Sequence, residues 1–290
     1  MELSDLKIFH AVVKTGGISH AARLLNRVPS NITARIQKLE SELDKQLFIR
    51  EKNRLRISPA GERLLNYAHK IIILADEALE QLNDNHPTGK LRLGSMEAVA
   101  ASRLSDTLMN YHQAFPDIEL EVSTNPTGRL IEQVLAGDLD LALVADPPRY
   151  AKLCITPIFS EKLVLVSGLQ QIEIKHPKDL GSNPTLLGFS PACAYRTRLA
   201  DWVKESDIIA KVIEINSYHA LLNCVTAGMG VGLIPEILLD FYPFKAGLKV
   251  HALPKHLETT TTSLIWRVDS LKPSMSAFND LLLKASNIKS

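Results

Sequence analysis

The chain has 290 residues, more than one ordinary domain, so two or three units are expected. Hydrophobic residues make up 46% and charged residues 22%, a balance that excludes a disordered chain. The net charge of +1 divides unevenly: residues 1–60 hold 11 Lys+Arg against 6 Asp+Glu, so a basic head (+5) precedes a mildly acidic remainder (−4), and only the head suits a polyanion.

The head reads as short helices and a loop. Leu3, Leu6, Ile8, Phe9, Val12 and Val13 give the first helix an apolar face. "KTGGIS" stops it, and Ser19 is placed to cap the next helix, "HAARLL", where Ala21 and Ala22 permit close approach. "NRVP" is a turn, with Pro29 in the first turn of a third helix. Along "VPSNITARIQKLE" the stripe Ile32, Ile36, Leu39, Leu43 faces a core. The opposite side carries Ser30, Thr33, Ala34 and Gln37, flanked by Asn31 and Arg35, with hardly an acid. Ser, Asn and Thr are poor helix formers, so their presence on a helix face calls for a contact. Two helices on a tight turn, the second with a polar face, make a helix-turn-helix. "LFIREKNRLRISP" then alternates apolar residues with Arg50, Lys52, Arg54 and Arg56, the pattern of a basic β-ribbon.

Ser58-Pro59 restarts helix to about Asn83. Leu64, Ala68, Ile71, Ala75, Ala78 and Leu82 are spaced as a heptad seam, which predicts a dimer contact. "DNHPTG" breaks the helix as a hinge. From Lys90 the pattern becomes alternating strands and helices: "LRLGS", a helix Ala98–Ala114, "IELEVST", a helix Gly128–Ala136, "LDLALVAD", "KLVLVSG", "TLLGFS", a helix Tyr195–Glu205, "KVIEI", a helix Ser217–Ala227, "GVGLIP", "TTTTSLIWRV" and a closing helix Ser274–Lys284. This predicts a mostly parallel α/β sheet.

Catalysis and transport find little support. No G-x-S-x-G elbow, P-loop or G-x-G-x-x-G follows a strand, and "GMGVG" precedes one. Cys154, Cys193 and Cys224 are widely spaced, without CxxC, and the nine histidines lack metal-ligand spacing, so neither metal nor cofactor is expected. No uninterrupted apolar run of about eighteen residues occurs, so no membrane helix is expected. "MELSDLKIFHAVV" has acids where a signal peptide needs bases, which points to the cytoplasm.

"AARLLNRVPSNITARIQKLESEL" followed by "LFIRE…RISPAGERLL", with "FPDIELEV", "GDLDLALVAD" and "VTAGMGVGLIP", resembles the LysR-type transcriptional regulators over essentially the whole chain. "GSME" and "CAYR" resemble a subgroup that includes a putrescine-utilisation regulator. The resemblance implies a winged helix-turn-helix (residues 1–60), a dimerising linker helix and hinge (61–89) and a two-lobed α/β effector domain like a periplasmic binding protein (90–290), with lobe I about 90–162 plus 264–290 and lobe II about 163–263. It implies duplex DNA with dyad-related half-sites, a small-molecule effector, a homodimer or homotetramer, and RNA polymerase as partners. Members often carry Ser-Arg-Gln in mid-recognition helix, where this chain has Thr33-Ala34-Arg35, so the arginine is displaced by about 100°.

On this reading the face Ser30, Asn31, Thr33, Ala34, Arg35 and Gln37 supplies short donors and acceptors for major-groove base edges. Arg50, Lys52 and Arg54 meet phosphates. Ligands of such folds lie at strand C-termini, which nominates Ser95 and Met96, Thr127, Asp146, and Phe189, Ser190, Cys193, Tyr195 and Arg196. Hydroxyls matching Ser95 and Thr127 tend to contact effector in the family. Arg196 suits a carboxylate, Asp146 or Glu97 an amine; Ser95 as a helix cap and Arg196 in a surface ion pair are the structural alternatives. A second functional reading makes Cys193 a redox-sensing thiol, whereas Cys224 falls in an apolar helix pattern and reads as core.

Overall fold

The computed structural model describes residues 1–51, 54–81 and 87–288. The chain divides into two compact units, Met1–Leu82 and Asn83–Ser290.

The first unit contains α1 (Leu3–Thr15), α2 (Ile18–Leu24), α3 (Pro29–Leu43), the antiparallel ribbon β1 (Phe48–Glu51) and β2 (Arg54–Ile57), and α4 (Pro59–Gln81). Gly16 ends α1 with φ 74°, a left-handed turn that a residue with a Cβ resists. α2 begins at Ile18 on an extended Gly17, so Ser19 lies inside the helix and is not the cap expected from sequence. Pro29 occupies the first turn of α3 as expected. Phe9, Ala21, Ala22, Ile32, Leu39 and Leu47 are buried together, and the rings of Phe9 and Phe48 stand 5.5 Å apart. The two alanines let α2 sit close to its neighbours, and the α3 stripe closes the core.

The second unit runs β3 (Gly89–Ser95), α5 (Glu97–Ser102), α6 (Ser105–Ala114), β4 (Ile118–Thr124), α7 (Thr127–Ala136), β5 (Leu141–Ala145), β6 (Leu153–Gly168), β7 (Thr185–Gly188), α8 (Ala194–Lys204), β8 (Lys211–Glu214), α9 (Tyr218–Thr226), β9 (Val231–Pro235), β10 (Leu248–His251), α10 (Lys255–Glu258), β11 (Thr259–Arg267) and α11 (Pro273–Ile288). Two three-stranded parallel groups, β4-β3-β5 and β8-β7-β9, flank the antiparallel strands β11 and β6, with β10 on β6. The sheet is therefore mixed, not mostly parallel throughout. β6 is also longer than "KLVLVSG" suggested: it starts at Leu153 and pairs with β11 over its first part. β11 starts at Thr259, where "TTTTSLIWRV" begins.

The helix expected over Ala98–Ala114 is two helices. Arg103 breaks it: its guanidinium reaches the buried carboxylate of Glu161 on β6 at 3.0 and 3.1 Å, and lies over the Phe159 ring. That pairing, unlike helix periodicity, joins segments far apart in sequence.

Gly61 in the first turn of α4 carries a packing constraint. A Cβ there would lie 2.3 Å from the Leu47 carbonyl oxygen and 2.7 Å from Ile57 Cγ1. Gly61→Ala must move α4 off the ribbon, and overpacking of this kind typically costs about 1–3 kcal/mol. Hydrogen exchange should show amides of residues 3–57 losing protection while those of residues 89–267 keep theirs; unchanged protection in the first unit would refute the constraint.

Candidate functional site

In the first unit, Ser30, Asn31, Ala34 and Gln37 are exposed along one side of α3, and Thr33 is half-buried. Thr33 Oγ1 donates to the Pro29 carbonyl at 3.0 Å, and Asn31 Oδ1 accepts from Arg27 at 3.2 Å. Ser30, Ala34 and Gln37 thus form the open strip, with Arg23 and Arg27 exposed nearby. Neither arginine was nominated from sequence, although "NRVP" places Arg27 in the turn.

Arg35 differs from its neighbours. Its Nη1 lies 3.0 Å from the fully buried Asp5 carboxylate and 3.1 Å from Glu2 Oε2, and Nη2 donates to Ser4 Oγ at 3.2 Å. Lys38 pairs with Glu2 as well, at 2.8 Å. Hydrogen bonds from Lys38 and Arg35 hold the exposed Glu2 carboxyl at about 2. The displaced arginine therefore ties α3 to the start of α1 and neutralises a buried acid; it is not a free base-reading side chain. On the ribbon, β1 and β2 pair with Arg50 opposite Leu55 and Glu51 opposite Arg54. The side chains of Arg50 and Arg54, and the whole of Lys52, lie outside the described residues.

The seam expected on α4 is split by packing. Ala68 is fully buried in the core of the first unit, and Leu64, Leu65 and Ile72 pack against that core. Ile71 and Ala78 are exposed, Ala75 is half-buried, and Leu82 lies outside the described residues. The apolar line left open is Tyr67, Ile71, Leu74 and Ala78, at heptad spacing; Tyr67 and Leu74 are each 66% exposed.

In the second unit a cavity of about 320 Å³ opens where parallel strands of both groups end. The β3–α5 corner contributes Met96 and Glu97, and the β4–α7 corner Thr124 to Thr127. From the other group come Phe189, Ser190 and Cys193 to Tyr195 beside α8, and Asn216 and Tyr218 at the start of α9. Six of the nine nominated residues line it: Met96, Thr127, Phe189, Ser190, Cys193 and Tyr195. Thr127 Oγ1 accepts the Ala145 N–H at 3.2 Å and lies 3.3 Å from Met96 Sδ, which places it at a junction of α7, β5 and the α5 corner. Asn216 and Tyr218 escaped the sequence search because the corner after β8, "INSY", has no glycine or charge to mark it.

Three nominated residues stand apart from the cavity wall. Ser95 is fully buried, its hydroxyl donating to the Met96 carbonyl at 3.0 Å. Asp146 binds Thr260 Oγ1, the Thr261 N–H and Arg198 Nη2, and so fastens the end of β5 to β11 and α8. Arg196 donates to the Phe189 carbonyl at 2.8 Å and faces Glu214 at 3.4 Å. Asp146 and Arg196 are held by partners from other segments, which sequence spacing does not reveal, and Ser95 is sealed by burial.

Burial lifts the Cys193 thiol above its ordinary value, against weaker opposing contributions from the Arg196 and Tyr195 N–H groups. Burial likewise raises the Tyr195 and Tyr218 hydroxyls and the Glu97 carboxyl. The Glu97 carboxylate accepts the Tyr218 N–H at 3.2 Å, a link between the two strand groups. Among the described residues, no His, Cys, Asp and Glu group forms a metal cluster, and no helix is long and apolar enough to cross a membrane.

Residues 3–62 match the model of the bacterial regulatory helix-turn-helix protein, lysR family, and residues 84–287 that of the LysR substrate binding domain. The chain is 37% identical to the HTH-type transcriptional regulator YofA of Bacillus velezensis, over 97% of this chain and 96% of that one. It is 35% identical to the HTH-type transcriptional regulator SoxR of an Arthrobacter strain, over 93% and 92%. Among solved structures, full-length CbnR complexed with its target DNA superimposes with a TM-score of 0.69 at 20% identity, covering 98% of this chain and all of that one, a likeness of fold. The two matched domains in this order, carried by one chain with relatives along nearly its whole length, place the protein in the LysR family of DNA-binding transcriptional regulators.

Proposed function

We propose that the protein binds a dyad-related promoter site as a dimer in the cytoplasm, acts on RNA polymerase by binding and not by catalysis, and answers to a small polar metabolite in the second unit. A place in the subgroup that "GSME" and "CAYR" resemble is part of this reading. The observation that carries it is the open strip Ser30, Ala34 and Gln37 on a basic unit: short, uncharged groups suit base edges, and surrounding cations suit phosphates. Tyr67, Ile71 and Leu74 give the helix an apolar line that a second copy would cover.

A metabolite touching residues of both strand groups favours one arrangement only by its differential affinity for it. Couplings of this kind amount to about 1–3 kcal/mol, enough to alter promoter geometry without creating DNA affinity from nothing. The thiol-sensing alternative fares worse on Cys193: a raised pKa leaves it as the unreactive thiol near neutral pH.

Binding to the protein's own promoter region should fall steeply as salt is raised. Gln37→Ala should relax the choice at one base pair, by about 1–3 kcal/mol. Arg35→Ala should instead lower the melting temperature, because it strands Asp5. Binding indifferent to sequence at every salt concentration defeats the regulator reading.

Ile71→Asp sets a charge into the proposed seam and should weaken the dimer by several kcal/mol, roughly the cost of burying an unpaired charge. Sedimentation velocity of the variant reads this directly, and unchanged assembly places the contact elsewhere.

Cys193 should react with iodoacetamide at pH 7 more slowly than free cysteine, and faster as pH rises toward its elevated pKa. Cys193→Ser should keep a metabolite response. Rapid peroxide oxidation of Cys193 at pH 7, with loss of promoter binding, would establish the redox reading instead.

A further inference from the structure

Among the described residues, Glu97 is the one charged group in the wall of the cavity of the second unit. The arginines that might have received an acidic ligand are engaged elsewhere: Arg196 by the Phe189 carbonyl and Glu214, Arg198 by Asp146 and the Thr259 carbonyl. Glu97 accepts one hydrogen bond, from the first N–H of α9 to Oε1, and no Lys, Arg or His among the described residues lines the cavity beside it. A carboxylate offers about four lone-pair sites, so one amide leaves most of them for a ligand.

Tyr195 also lines the cavity; it is 3% exposed, and its hydroxyl is sealed from solvent with no hydrogen-bond partner among the described residues. The positive helix ends that would favour an anion are partly satisfied already: Glu97 itself occupies the α9 end, and the Ala192 carbonyl takes the Gly128 N–H of α7 at 3.1 Å. Between these groups the wall is apolar or neutral, with the Phe189 and Tyr218 rings 4.6 Å apart.

We infer that the cavity takes a compact monoamine, its ammonium group against Glu97 and an apolar body on Phe189 and Tyr218. This deepens the metabolite reading above and rests on it. The volume, about 320 Å³, lies at the small end of ligand sites, which run to about 1,000 Å³. A carboxylate ligand would place like charge beside Glu97 with no cation to offset it.

Two probe sets test the charge. Tyramine, tyrosol and para-hydroxyphenylacetate share a hydroxyphenyl body and end in ammonium, hydroxyl or carboxylate; butylamine, butanol and butyrate do the same on an aliphatic chain. Each is added to the full-length protein and the thermal midpoint and dissociation constant are measured. The amine of at least one set should raise the midpoint, its alcohol less, and its acid not at all. Glu97→Gln, which can still accept the Tyr218 N–H, should weaken the amine by about tenfold or more, the worth of one charge-assisted hydrogen bond. Ala194→Phe, which fills the cavity, should abolish the shift. An acid that binds as well as its amine, a Glu97→Gln variant that binds the amine unchanged, or no shift with any probe overturns the amine assignment. If Ala194→Phe blocks whichever probe binds, the cavity remains the effector site; a shift that survives Ala194→Phe overturns the cavity reading as well.

Discussion

The second unit depends on one strand belonging to two groups at once. β6 runs sixteen residues from Leu153 to Gly168, about 50 Å of extended chain. Along Leu153–Lys162 it pairs with β11, skipping Ile158 at a register shift, and its last six residues pair with β9 and β10. Every parallel strand of the unit is therefore oriented, directly or through β11 and β9, by the same backbone. β3 and β4 on one side and β7 and β8 on the other end around a common space, and the cavity is that space. Pro157 lies where the β6–β11 register shifts, between Thr262 and Ser263, which is where a residue without an N–H is tolerated. A change in the angle between the two strand groups would have to be absorbed by twist in β6 and β11.

That arrangement explains why so many charges of the second unit are engaged. Joining distant segments brings Asp140 and Glu161 into low-dielectric surroundings, where an unpaired charge is costly, so each finds a cation. Asp140 sits between Arg92 and Lys272 and Glu161 takes Arg103, while the exposed Asp146 pairs with Arg198. The first unit follows the same rule with Asp5 and Arg35. Glu97, which lines the cavity, differs from these acids: it accepts an amide N–H where they have a cation, and burial raises its pKa.

Much of this was legible in the chain. The α3 stripe Ile32, Ile36 and Leu39 is buried as its spacing requires, since a helix core face is a matter of local period. The strand ends at Met96, Thr127 and Ser190 could be read because alternation locates strands and strand ends locate ligands. The misses share one cause. Ser95 and Met96 are adjacent at a strand end, and period alone does not say which is sealed inside. Arg196 and Arg198 stand two residues apart on α8, about 200° around the helix, and their partners Glu214 and Asp146 come from remote segments. On α4 the heptad marks an apolar band, but the packing of α1 against one side decides that Ala68 is covered and Leu74 is open.

By itself, then, the sequence determined the order of the elements, the family, the basic recognition unit and the approximate location of the cavity. The family came from the resemblance of several motifs in order, and the rest from neighbours along the chain: periodicity, turn chemistry and local charge. Only the tertiary structure decided which polar side chains remain open to a partner. Arg35, Asp146 and Arg196 are taken up by ion pairs and hydrogen bonds, and Thr127 by the Ala145 N–H, while Gln37 faces outward and Glu97 lines the cavity. The physical reason is that desolvated charges pair by distance in space, and that distance is set by strands and helices many residues apart.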